Sequence, residues 1–292
     1  MKNIFMTSLL GIVLYSCTLN RSLPADNNGK PMLLGVHTEA DLRKKPFNSW
    51  FNKNYDTYQF DTATAKEIKP LLSNKQVEIF MGTWCGDSQR EVPRMLKILS
   101  YCGIPTGRIK IIMVDNHDST YKQSPGHEER ALNIHRVPDL LVYENNIELG
   151  RIVEEPIITL EKDLLTILKR EDYPTSYKGI DYLIKQFRLY GTLGVERDTA
   201  NTILALQKLL KNKYELSPYA RINLNAGDTA KALLIYRLNS MAYPKEADLY
   251  YRLGSVYLSM GNKLMARENL IKALALRPDY PDAKKKLSQI SN

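Results

Sequence analysis

The sequence predicts an α/β layer domain followed by an all-helical domain, and three observations carry that expectation. Between about residues 50 and 170, short β-prone runs alternate with segments of helical periodicity. After about residue 174 the strand signal disappears and the 3.6-residue period takes over, with twelve of the 18 tyrosines beyond residue 172. Residues 247–280 form one helix–turn–helix unit, with a weaker copy 34 residues earlier. Composition agrees: 292 residues at 43% hydrophobic and 25% charged exclude a disordered chain, a collagen-like fibre and a disulfide-packed miniprotein. Three cysteines cannot build a disulfide framework, so each needs its own account.

The chain opens as an export signal over residues 1–16. Lys2 supplies the positive charge, and residues 4–15 form an apolar stretch too short to span a bilayer comfortably. It ends at Leu14-Tyr15-Ser16-Cys17. That order resembles the lipobox of bacterial lipoproteins, in which the cysteine is acylated and becomes the new N-terminus. The resemblance implies lipidation at Cys17, with three acyl chains holding the protein to the bacterial cell envelope, at the outer membrane facing the periplasm. Several buried chains make such an anchor effectively permanent. The alternative is a plain secretory peptide with an incidental cysteine. Residues 17–49 read as a tether and N-terminal extension, because 18–35 holds Pro24, Asn27, Asn28, Gly29 and Pro31.

Residues 50–172 form the α/β part. Strands are predicted at 76–81, 109–114, 139–143 and 147–153, the last two as a hairpin around Asn145-Asn146. Helices are predicted at 87–100, with Val92, Met95, Leu96 and Leu99 at helical spacing, at 128–134 and at 159–170. Trp84-Cys85-Gly86-Asp87-Ser88 lies between a strand and a helix. A cysteine at a helix N-terminus meets unpaired N–H groups and the macrodipole, which favour the thiolate that attacks disulfides.

With this strand–helix order and Val137-Pro138 before the third strand, residues 50–172 resemble the thioredoxin superfamily: a central sheet flanked by helices. The resemblance implies Cys85 as the nucleophile, Ser88 as a partner for its thiolate, and Trp84, Val137 and Pro138 as the substrate-contacting groups, Pro138 in the cis form. Three departures stand out. Ser88 replaces the resolving cysteine, so a mixed disulfide needs an external thiol. Asp87 puts a carboxylate near the sulfur, which opposes thiolate formation. Ile79 stands where a buried acid often sits, and Glu78 faces the other side of the sheet. Three readings of Cys85 stay open: a monothiol exchanger, a redox-inert binding groove, and a plain structural cysteine. Cys102 reads as a core residue at the helix end, with Gly103 as the cap. The intervening helix holds it over ~20 Å from Cys85, beyond disulfide reach.

Residues 173–292 form the helical part. Tyr250, Leu253, Gly254 and Tyr257 share one helix, Gly261-Asn262 turn the chain, and Ala266, Leu270 and Ala273 follow before Pro278. The pattern is similar to the tetratricopeptide repeat, best at 247–280. Thirty-four residues earlier stand Ala220, Gly227-Asp228, Ala232, Tyr236 and Pro244. Helices at 179–190 and 199–211 read as a degenerate earlier pair and 281–290 as a terminal cap. Such repeats present a concave surface for protein or peptide partners. The alternative is that they only pack on the sheet domain. Residues 171–292 carry 19 basic and 12 acidic groups, so this half holds most of the excess positive charge and suits an acidic partner or anionic lipid headgroups. Expected partners are therefore envelope proteins and, through the anchor, the membrane, with no nucleic acid. No cofactor and no metal are expected. His37, His117, His127 and His135 lack ligand spacing and read as surface or loop histidines. The expected function is thiol–disulfide exchange on protein clients held by the repeats. The alternative is a non-catalytic scaffold.

Overall fold

A computed structural model describes residues 23–290. The export signal and Cys17 lie outside the described residues. The first half runs β1 (Gly35–His37), α1 (Glu39–Leu42), α2 (Asn48–Thr57), α3 (Thr62–Leu71), β2 (Lys75–Met81), α4 (Gly86–Cys102), β3 (Ile109–Met113), β4 (Asp139–Glu144), β5 (Ile147–Val153) and α5 (Leu160–Leu168). The strands form one mixed sheet in the order β1-β3-β2-β4-β5. β2 and β3 are parallel, and every other pair is antiparallel. Parallel pairing of consecutive strands needs a crossover, and α4 supplies it. The architecture is compatible with a thioredoxin-like domain.

The period-2 pattern of the strands sorts the core onto two faces. Val77, Ile79 and Met81 of β2 pack with Val92, Met95 and Leu99 of α4 and with Ala65, Ile68, Leu164 and Ile167. On the opposite face Phe80, Ile112 and Leu141 pack with Val114, Ile134 and Val137 from the long loop before β4. The β4–β5 turn has Asn145 and Asn146 at φ 50° and 63°, the pair of left-handed residues a tight hairpin requires.

Strands predicted from sequence stand within one residue of their expected bounds. Three expectations need correction. The helix expected at 128–134 is a run of turns, because His127, Ala131 and Asn133 are left-handed (φ 55°, 62° and 56°) and interrupt any helical ladder. The described part of the expected tether is packed: Met32 and Leu33 are buried, and the Asp26 carboxylate accepts the N–H groups of Asn28 and Lys30 at 2.8 Å. β1 was not expected. It is three residues long and gains its order only by pairing with Ile111–Met113.

α4 carries Pro93 in its interior. Proline has no N–H for the carbonyl four residues back, which is that of Gln89. Asn54 of α2 fills the gap, its Nδ2 donating to Gln89 O at 3.0 Å. Gly103 ends the helix in the left-handed region at φ 76°. Cys102 is buried one residue before, its Sγ donating to Ala65 O at 3.4 Å. Burial pushes its thiol up to about 11.

The second half is helical throughout: α6 (Lys178–Arg197), α7 (Thr199–Leu209), α8 (Leu216–Asn225), α9 (Thr229–Ala242), α10 (Ala247–Ser259), α11 (Lys263–Leu276) and α12 (Pro281–Ile290). α6 extends past its expected end at Tyr190 but breaks at Gly191. The 34-residue logic is visible in the turns. Asp228 and Asn262 each cap a helix, accepting Lys231 N at 3.2 Å and Met265 N at 3.1 Å. Each follows a left-handed glycine, Gly227 or Gly261. Between α10 and α11, a Cβ on Gly254 would lie 3.0 Å from Leu270 Cγ and 3.1 Å from Ala266 O, so glycine permits an approach that a larger residue would have to loosen by a few tenths of an ångström.

The two halves touch through the long loop and β5. Arg221 of α8 pairs with Asp118, and Asn225 donates to Asp118 O at 3.0 Å. The His135 ring meets Tyr177 and Tyr219 edge-on at 5.5 and 6.1 Å. Val153, the last residue of β5, packs into the helical core.

Candidate functional site around Cys85

The sequence from Gly82 to Cys85 turns the chain from β2 into α4. Cys85 N donates to Gly82 O at 2.9 Å, and Cys85 O accepts Gln89 N, opening the helix. Cys85 is thus the N-cap of α4, with its side chain free of the capping role. It is half-buried, and its Sγ donates to Val137 O at 3.2 Å. The Val137–Pro138 peptide is cis. Trp84 is fixed on the other side: its Nε1 donates to Val114 O at 2.8 Å. Gly82 makes room for the ring, because a Cβ there would lie 2.3 Å from Trp84 Cε2. Trp84, Cys85, Val137 and Pro138, singled out from sequence, therefore converge.

Ser88 does not join them as expected. It is fully buried, and its Oγ accepts Gly82 N at 3.3 Å, bracing the turn from inside. Asp87 turns outward to Arg90, with an Nη1–Oδ1 distance of 2.9 Å. The pairing draws its carboxylate toward a cation on its own helix.

Several neighbours escaped sequence reasoning. Lys122, only 4% exposed, lays its Nζ over the rings of Trp84 at 5.5 Å and Tyr121 at 5.0 Å. Its backbone is left-handed at φ 59°. Asp139, next to Pro138, is fully buried and pairs with Arg151 at 3.1 Å. Burial pushes its carboxyl up to about 7, against the pull of Arg151. So a buried acid does stand by the site, on β4 opposite Phe80 instead of at the Ile79 position. The only advance signal for Asp139 was its place next to Pro138. Lys122 sits in a loop without periodicity, where neither partner nor burial is readable.

His135 also departs from expectation. It stands in the long loop between β3 and β4, as expected, but at 2% exposed it is buried and not a surface residue. Its Nδ1 lies 2.9 Å from Asn133 O, and burial pushes the imidazole down to about 3, so it is neutral. His117 and His127 are half-exposed beside Asp115 and Glu129. Among the described residues, no group of three or more His, Cys, Asp or Glu gathers to hold a metal ion, and no helix is long and apolar enough to cross a membrane.

Comparison with known families matches residues 247–280 to the tetratricopeptide repeat, the segment formed by α10, α11 and the turn beyond. Comparison with curated proteins finds no match. The C-terminal half is thus a helical region with a tetratricopeptide repeat, a module that suggests protein–protein interaction.

Proposed function

We propose that the protein is an envelope lipoprotein, anchored through Cys17, whose thioredoxin-like half performs monothiol thiol–disulfide exchange at Cys85 on protein clients held by the repeats. The observation that carries this reading is a half-buried cysteine at a helix N-terminus, its sulfur facing the Val137 carbonyl beside cis Pro138 and flanked by Trp84. The anchor rests on the sequence around Cys17 and the envelope location on the same motif.

The chemistry balances without a cofactor. The Cys85 thiolate attacks one sulfur of a client disulfide, a Cys85–client disulfide forms, and the second client sulfur leaves as a thiolate and takes a proton from solvent. An external thiolate then attacks the client sulfur of the mixed disulfide: a client–thiol disulfide forms and Cys85 leaves as the thiolate, and a second external thiol releases the reduced client and carries the disulfide away as its own. Ser88 cannot perform that second attack.

The test is to incubate the purified protein with a disulfide-linked peptide and a small thiol. The parent should reduce the peptide through a mixed disulfide that is trapped on Cys85. A Cys85→Ser variant as active as the parent overturns the reading. The buried, internally bonded Ser88 favours a second reading, a scaffold that uses the groove and the repeats for binding alone. That reading predicts no turnover in either protein and retained capture of a client.

A further inference from the structure

We infer that the recess where the long loop meets α8, α9 and α10 is a carboxylate-binding pocket, and that it takes an acidic segment of a protein partner. This deepens the exchange reading by giving the client its chemistry, and it rests on that reading for the link to Cys85.

The cavity measures about 200 Å³ and is walled from both halves of the chain. The loop before β4 contributes Arg136, α8 contributes Arg221 and α10 contributes Arg252. No aspartate or glutamate lines it. Guanidiniums gathered without an acid repel one another until an anion joins them, and their planar forks fit a carboxylate two bonds at a time. The repeat accounts for part of the grouping. Pro218, also in the wall, stands 34 residues before Arg252, and Arg221 follows it by about one turn.

These cations are not spent inside the protein. Arg252 is exposed and, among the described residues, has no ion-pair partner. Asp248, one turn before it on α10, is held by Lys213 at 3.1 Å. Arg221 is braced with its guanidinium 4.0 Å over the Tyr121 ring. Its acid, Asp118, is 97% exposed, so water competes for that pair. Arg136 lies 3.6 Å from Glu154, too long for a good hydrogen bond, and Glu154 also accepts the Tyr177 hydroxyl. Arg136 Nε and Ser217 Oγ, both on lining side chains, are buried without a hydrogen-bond partner among the described residues. Buried polar atoms are ordinarily paired, so this wall keeps bonding capacity that the chain itself does not use. Ser217 also lies in the first turn of α8, the positive end of that helix.

The pocket adjoins the Cys85 site along the chain: Arg136 precedes Val137, whose carbonyl accepts Cys85 Sγ at 3.2 Å. A partner anchored by a carboxylate here is held beside the sulfur. The recess is narrow and set between two domains, and its helical wall runs into the tetratricopeptide repeat, so a protein segment suits it better than a lipid headgroup on a flat basic face.

The experiment reads the fluorescence anisotropy of a labelled peptide with three consecutive glutamates, and of its glutamine counterpart, titrated with the purified full chain. The glutamate peptide should bind about tenfold more tightly or better. Arg252→Gln, at an exposed position that the fold does not need, should weaken it about tenfold, and Arg221→Gln likewise. Arg267→Gln removes the same charge from an exposed position of α11 outside the pocket and should bind as the parent does. Equal binding of the two peptides, or equal weakening by Arg252→Gln and Arg267→Gln, overturns the inference. Binding to phosphatidylglycerol vesicles with no preference for the glutamate peptide overturns it too, and marks the anion as lipid. Turnover of a disulfide-linked peptide is measured separately. Turnover without glutamate preference overturns the pocket alone. Glutamate binding that depends on Arg252, with no turnover, supports the pocket and overturns exchange alone.

Discussion

At the scale of single residues, the site depends on one absent side chain. Gly82 lies beneath the Trp84 indole, and a methyl there would sit 2.3 Å from Cε2 and 2.6 Å from Nε1. Gly82→Ala should therefore displace the ring and break its bond to Val114 O, a loss of about 1 kcal/mol. With Trp50 replaced by Phe, Trp84 is the sole indole, and its emission should shift toward that of a hydrated ring. Unchanged emission would mean that the turn yields instead of the ring. Cys85 and Trp84 were legible in the sequence because a strand, a Trp-Cys pair and a helix start follow each other without a gap. Gly82 and Lys122 were not, since one acts by the space it leaves and the other through a fold-back of the chain. Ser88 was misread for a related reason: sequence places its hydroxyl near the sulfur, but packing directs it to the Gly82 amide.

At the scale of elements, local chemistry and tertiary repair alternate. α4 tolerates Pro93 because Asn54 of α2 takes the orphaned Gln89 carbonyl, a compensation no periodicity records. The hairpin at Asn145-Asn146 was legible because side-chain type alone fixes its backbone sign. The alternation of strand and helix suggested a helix over 128–134, but left-handed Ala131 and Asn133 prevail there. The α10–α11 pair was legible in detail, since its small residues mark where helices approach. Gly254→Ala should wedge Leu270 away from the contact and destabilise the helical half by about 1–3 kcal/mol. Urea denaturation followed by circular dichroism checks this, and a midpoint equal to the parent's would count against close packing there.

At the scale of the whole molecule, the order of an α/β half before a helical half was legible, but their junction was not. His135 shows why: its sequence neighbours describe a loop, while its ring is wedged between Tyr177 and Tyr219 from the other half. Its imidazole is pushed down to about 3 by burial, so the unfolded chain, titrating near ~6.5, binds the extra proton over that window. Stability attached to His135 is thus present above about pH 6.5 and is lost as pH falls toward 3. Asp139 works in the opposite sense: raised to about 7, it stabilises the fold as pH falls from there toward the ordinary carboxylate range. Comparing parent and His135→Phe at two pH values cancels the Asp139 part. Between pH 7 and 4.5 the parent should lose about 2–3 kcal/mol more than the variant in urea denaturation. Equal losses would mean that the ring is already hydrated in the folded protein. Val153 carries the junction furthest, since it ends a strand of one half and fills the core of the other. A protease cut or gene truncation near residue 172 would not release two self-sufficient modules. It would bare Val153 and the His135 ring to water on one fragment and open the helical core on the other, leaving both prone to cling to whatever apolar surface is nearest.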